Sequence, residues 1–262
     1  MYRPGETVRG KVIAVFESDQ HPRSVTLHAI GTEFTNWGTQ PTYVARTHPL
    51  DQAIELWRPR PAAEVLRAGT HDFPFAIGLP ARLPPTFDGM LTEIGYGLRA
   101  KVDLPRHVDL HAEKGFAVLA IVPALAEAPA PVTAHDTSGR ELTLELPRST
   151  HRLGQTFSGC VHLARPGEGR SRRLTLELLS CERGSAQGVW AEHVEREADL
   201  RVELEHVTDA STFSFSFQVP DSAMPTFCGD HCELTWRVAA RLDVARGHDL
   251  VAEAEVIVVE AE

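Results

Sequence analysis

The residues with most obvious chemistry sit in "CGDHCE", where Cys228, His231 and Cys232 bring two thiols and an imidazole together just ahead of a strand. Thiolate and imidazole are ligands that zinc favours, and a fourth group from elsewhere would complete a tetrahedron. C-x-x-x-C without a second matching pair is also what an ordinary loop carries. The other cysteines, Cys160 and Cys181, fall on adjacent strands. A bridge between them needs Cα atoms within about 7 Å, and free thiols are the expectation in a reducing compartment. His107 with Asp109, and His248 with Asp249, would do acid–base work in a shared cleft. At strand ends they are expected to bond turn amides instead. The remaining histidines of the thirteen are scattered, mostly near turns or on outward positions, and read as surface.

No G-x-S-x-G elbow, H-E-x-x-H helix or phosphate-binding Walker loop occurs, and "GEGR" at Gly167 lacks the third glycine and the following helix of a dinucleotide site. Neither a cofactor nor turnover is expected. Basic side chains cluster at "RPRP" from Arg58 and at "RSRR", where Arg170, Arg172 and Arg173 occupy a hairpin tip. Such a tip either keeps the surface soluble or meets phosphate or an acidic partner. Trp37, Trp57 and Trp190 lie outside the strongest strand patterns. Exposed, they would anchor an interface; otherwise they pack in a core or hinge.

The elements that position these groups belong to a chain of 262 residues, long enough for two domains with a core each. With 36 acidic against 26 basic side chains, the formal charge of -10 repels nucleic acid. The N-terminus does not read as a secretory signal. The longest apolar run, "FAVLAIVPALA" from Phe116, is about half of what a membrane-spanning helix requires. A cytoplasmic protein is expected. Arginine far outnumbers lysine and Asn36 is the single asparagine, a bias that suggests GC-rich, bacterial coding.

The chain repeats itself. Shifted by 140 positions, Phe73–Glu113 aligns without a gap on Phe213–Glu253. Shifted by 149, "RPGETVRGKV" from Arg3 falls on "RLGQTFSGCV" from Arg152, and Glu33 falls on Glu182. The two offsets place nine extra residues in the first copy between Glu33 and Phe73, where loops absorb insertions. A period this long means duplicated domains, because solenoid repeats run at about 20–50 residues.

Within each copy the apolar period is two. Phe73, Phe75, Ile77 and Leu79 alternate with small or polar residues, as Phe213, Phe215, Phe217 and Val219 do. Pro80, Pro85, Phe87 and Gly89, twinned by Pro220, Pro225, Phe227 and Gly229, then read as a corner between strands. The fold class is all-β, with two tandem antiparallel, immunoglobulin-like sandwiches. The expected boundaries are 1–122, an Ala/Pro-rich linker at 123–139, and 140–262. "RELTLELPRST" precedes the second copy as an alternating strand, and the first copy, starting at Met1, has no residues for its equivalent. Either the true start lies upstream, or the first sandwich has an open edge for a partner's strand.

"YRPGETVRGKV", "SVTLHAIGTEFTNW" and "GTHDFPFAIGLPARLPPTFDGMLTEIGYGLRAKVDLP", with their reduced echoes in the second half, resemble the arrestin superfamily and within it the arrestin-domain-containing proteins. The resemblance spans both halves. It implies two concave β-sandwiches and a non-catalytic adaptor or scaffold that binds proteins through sheet faces, hinge or edge strand. The Pro-Pro-x-Tyr tail of ligase-recruiting members is missing, with "PPTF" at Pro84 carrying Phe in the Tyr place, and the basic first strand of phosphoreceptor-binding members has no counterpart. From other classes, a hydrolase or zinc-dependent enzyme and a structural protein of stress or sporulation control remain as alternatives.

Overall fold

The computed structural model of the chain describes residues 1–60, 64–105, 107–121, 129–165, 171–204, 207 and 209–260, and these contain strands and no helix. They form two compact units. The first is Met1–Ile121 together with the short segments Gly184–Val189 and Gly229–Cys232; the second is the remainder.

In the first unit the strands are β1 (Thr7–Phe16), β2 (Ser24–Trp37), β3 (Tyr43–Trp57), β4 (Gly69–Gly78), β5 (Phe87–Asp88), β6 (Thr92–Asp103) and β7 (Leu110–Phe116). One sheet runs β3-β2-β6-β5, with β7 also on β6; the other is β1 and β4 alone. Every pairing is antiparallel. Side chains alternate as period two demands: along β2, Val25, Leu27 and Ala29 are buried, and Ser24, Thr26 and His28 face outward. Ala14, Phe16, Val25, Leu66, Phe73 and Val102 close one end of the core.

The second unit contains β8 (Val132–His135), β9 (Glu141–Glu145), β10 (Thr150–Arg152), β11 (Thr156–Ala164), β12 (Ser171–Ala186), β13 (Val189–Glu203), β14 (Ser211–Gln218), β15 (Phe227–Cys228), β16 (Cys232–Val244) and β17 (Leu250–Val259). One sheet is ordered β10-β17-β16-β12-β13 with β15 on β16, and the other β14-β11-β9-β8. Trp236, Leu142, Leu144, Leu163, Leu174 and Leu176 are fully buried between them. Val132–His135 pair with β9, so this hairpin starts inside the stretch read as linker, 123–139, of which residues 123–128 lie outside the described residues.

The repeat holds at the level of individual hydrogen bonds. In the proline corner, the Thr86 N–H donates to Val118 O and the Val118 N–H to Thr86 Oγ1; Thr226 and Val258 exchange the same pair. The Tyr96 hydroxyl donates to Pro84 O at 2.7 Å, and the Trp236 indole N–H donates to Met224 O, the same loop position, at 3.1 Å. Burial first, then the Glu33 and Asp230 charges, hold the Tyr96 phenol above its ordinary range. Gly89 and Gly229 donate to Thr92 O and Cys232 O. Phe87 and Phe227 point into the cores, and Pro80 and Pro220 are half-buried. The nine extra residues of the first copy fall in connections: five residues join β2 to β3, whereas Gln187 and Gly188, both at positive φ, turn β12 into β13 as a tight hairpin.

Candidate interaction site

β1 sits at the edge of its two-stranded sheet, and beside it opens a groove of about 620 Å³. Its apolar wall is made by Val8, Val12, Phe75, Leu98 and Phe116. Phe75 lies opposite Gly10 in the β1–β4 register, and its ring crosses that strand so closely that a Cβ at Gly10 would stand 2.7 Å from the ring tip. Phe73 is core, 6 % exposed, but Phe75 is only half-buried, so its ring lines the groove and does not belong to the core as its pattern suggested. Leu98, on an inward position of β6, is half-buried for the same reason.

Arg9, Lys11 and Lys114 line the groove together with Glu113, whose carboxylate pairs with Arg99 at 3.1 Å. The Lys11 ammonium pairs with Asp72 at 2.6 Å, whereas Arg9 and Lys114, also at the groove, have no ion-pair partner among the described residues. Ile13 and Val15, 54 % and 66 % exposed, face outward along the same edge. A second, smaller concavity of about 380 Å³ lies over the β3–β2–β6 sheet, where the Arg46 guanidinium stands 4.8 Å above the Phe34 ring.

The remaining candidates are dispersed. Trp37 is half-buried and stacks on Tyr43, and Trp57 packs against the Phe16–Phe73 core. Trp190 is 56 % exposed under the Arg183 guanidinium, 5.0 Å from the ring centroid. Arg172 and Arg173 open β12, far along the hairpin from Trp190 at the start of β13; Arg173 faces Asp243 at 3.8 Å, and Arg170 lies outside the described residues. Among the described residues, Cys228, His231 and Cys232 do not gather as metal ligands. Cys228 is exposed and Cys232 buried, and the turn between them is tied down by the buried Glu33, whose carboxylate accepts the N–H groups of Asp230 (2.9 Å) and His231 (2.6 Å). None of the four cysteines is in a disulfide. Asp109 and Asp249 accept the N–H groups of Leu104 and Val244, closing equivalent turns. His151 departs from the surface reading, at 2 % exposure and stacked 4.0 Å from Phe157.

The groove was not legible in the sequence, because it depends on Phe75, Leu98 and Phe116 meeting across three strands.

The described residues are all-β, arranged as repeated antiparallel sandwich units. Residues 1–124 match the family described as "Arrestin (or S-antigen), N-terminal domain". "Arrestin domain-containing protein 17" of Caenorhabditis elegans is 26 % identical over 136 residues, covering 46 % of this chain. The chain spans about a third of that relative's length, the match covering 32 % of it. Residues 1–124 are thus similar to the arrestin N-terminal domain. That family is generally non-enzymatic. No helix among the described residues is long and apolar enough to cross a membrane.

Proposed function

We propose that this protein is an adaptor that captures an extended segment of a partner protein as an added strand on β1. One observation carries the reading: Phe75 is open to the groove, whereas its twin Phe215 is 4 % exposed beneath Leu146, just past β9. β9 lies antiparallel on β11 with Cys160, Val161, His162, Leu163 and Ala164 in register, and the equivalent positions of the first unit are Lys11–Val15. β9 reads E-L-T-L-E, with Leu142 and Leu144 buried. The occupant that fits β1 is therefore extended, apolar at alternate positions and acidic at its ends, which suits Arg9, Lys11 and Lys114. Main-chain hydrogen bonds would supply affinity and the groove would read alternate side chains. With its cysteines outside disulfides, a reducing cytoplasmic setting suits this role.

A labelled peptide of residues 140–147, "RELTLELP", tests the reading as a probe against the full chain by fluorescence anisotropy. Saturable binding that is lost when both equivalents of Leu142 and Leu144 become serine is the expected result. No binding, or a dimer that the peptide fails to dissociate, would overturn it; the dimer would put a second copy on this edge.

A further inference from the structure

On the outer face of the β14-β11-β9-β8 sheet, one set of side chains has the composition and spacing of a metal site. Cys160 and His162 are two residues apart on β11 and so share a face, and Glu145 of β9 stands directly opposite Cys160 in the antiparallel register. The Cys160 Sγ lies 3.3 Å from His162 Nε2, His162 Nε2 lies 3.3 Å from Glu145 Oε2, and Sγ to Oε2 is 3.9 Å. Ligands about 2.0–2.3 Å from one tetrahedral zinc stand about 3.3–3.6 Å apart, so the three atoms need shift by only tenths of an ångström to share an ion. A separate observation concerns the far side of the imidazole: His162 Nδ1 is 2.9 Å from Thr212 Oγ1, across the β11–β14 pairing. With Nδ1–H donating to that hydroxyl, the Nε2 lone pair faces Cys160 and Glu145, the orientation that partners of metal-bound histidines impose. The inward neighbours Val161 and Leu163 are fully buried, which fixes the strand beneath.

We propose that Glu145, Cys160 and His162 bind a zinc-type divalent transition-metal ion, with the fourth coordination position open to solvent. Burial first, and then the Glu145 carboxylate, raise the Cys160 thiol above its ordinary pKa. Metal binding forms the sulfur–metal bond and releases the thiol proton to solvent, and the ion screens the carboxylate from the sulfur. Affinity therefore falls as pH is lowered. Lys11 and Ile13 occupy the positions of Cys160 and His162 in the first copy, so the site belongs to the second unit alone.

Cobalt(II) titration of the full chain tests this, with zinc added afterwards as competitor. The expected result is a thiolate-to-cobalt charge-transfer band that zinc abolishes. Cys160→Ser should remove the band and His162→Ala should weaken or remove it, while Cys228→Ser leaves it intact. Thr212→Val, acting only through the imidazole, should lower affinity roughly tenfold. All four positions face outward or lie on turns, and circular dichroism checks that each variant folds. No charge-transfer band in the folded protein, or a band that survives Cys160→Ser and vanishes in Cys228→Ser, would overturn the assignment.

Discussion

In the second unit, β11 carries β14 on one side and the β8–β9 hairpin on the other; in the first, its twin β1 carries β4 alone. The consequences spread inward from that edge. Phe215 and Val238 are buried where Phe75 and Leu98 are half-open, although both positions are apolar in each unit and the register matches. The proline corner repeats its threonine hydrogen bonds in both units, and an aromatic donor, Tyr96 in one and Trp236 in the other, bonds the equivalent carbonyl. Core character at a strand position is thus set by what covers it, and the corner by its own turn chemistry.

The contrast should be largest at the paired phenylalanines. Phe215→Ala removes a ring that is 4 % exposed and is expected to cost about 3–5 kcal/mol in denaturant unfolding of the full chain, followed by tryptophan fluorescence. Phe75→Ala removes a ring that already meets water, and about 1–2 kcal/mol is expected. Equal costs would mean that β9 adds nothing to the burial of Phe215.

The paired glycines sharpen the same comparison. A Cβ at Gly159 would meet the Phe215 ring at 2.5 Å, Leu146 at 2.8 Å and the Glu145 carbonyl oxygen at 2.9 Å. The last is backbone and cannot swing aside, so Gly159→Ala should cost about 1–3 kcal/mol by overpacking. At Gly10 the close neighbour is the Phe75 ring alone, which has the groove to move into. Gly10→Ala should cost less than about 1 kcal/mol, partly offset by the lower backbone entropy of alanine. Thermal unfolding of the two variants, compared directly, reads the difference.

Much of this was legible in the sequence because it is local. Period-two alternation places Val25, Leu27, Phe215 and Phe217 inward, and Pro80, Thr86 and Gly89 with their twins announce the corner. The Glu33 side chain was visible only as part of a motif, because its acceptors' partners, the Asp230 and His231 amides, lie almost two hundred residues away. The metal-like cluster was half visible: C-x-H on an alternating strand puts Cys160 and His162 on one face. Glu145 joins them through a strand register that spacing alone does not specify.

A milder contrast depends on pH. His151 pairs with Val258 in the parallel β10–β17 ladder, and Tyr2 takes the equivalent place beside Val118. Burial lowers the His151 pKa in the folded state. Below the unfolded value of about 6.5 the unfolded chain takes up a proton that the folded chain resists, so this contribution to stability is lost as pH falls through that range. His151→Tyr, which installs the first unit's residue, should flatten the dependence between about pH 7 and pH 5, where histidine titrates. An unchanged slope in urea unfolding at the two pH values would assign the pH response to other groups.

The smallest expected change in stability separates packing from capture. Ile13 and Val15 face outward on the open edge and support no core, so Ile13→Glu combined with Val15→Glu should leave stability within about 0.5 kcal/mol per site, the range of ordinary surface changes. Charged edge residues are what natural sheets use to refuse an added strand. In the register of β9 on β11, positions 13 and 15 stand opposite Thr143 and Glu141 of the peptide, so a glutamate at 15 faces a like charge and opposes pairing. Peptide anisotropy should therefore fall to background in a protein whose melting temperature is unchanged. If the double variant still binds the peptide as tightly as the parent, the segment does not pair along β1, and the apolar groove would have to hold it through side chains alone.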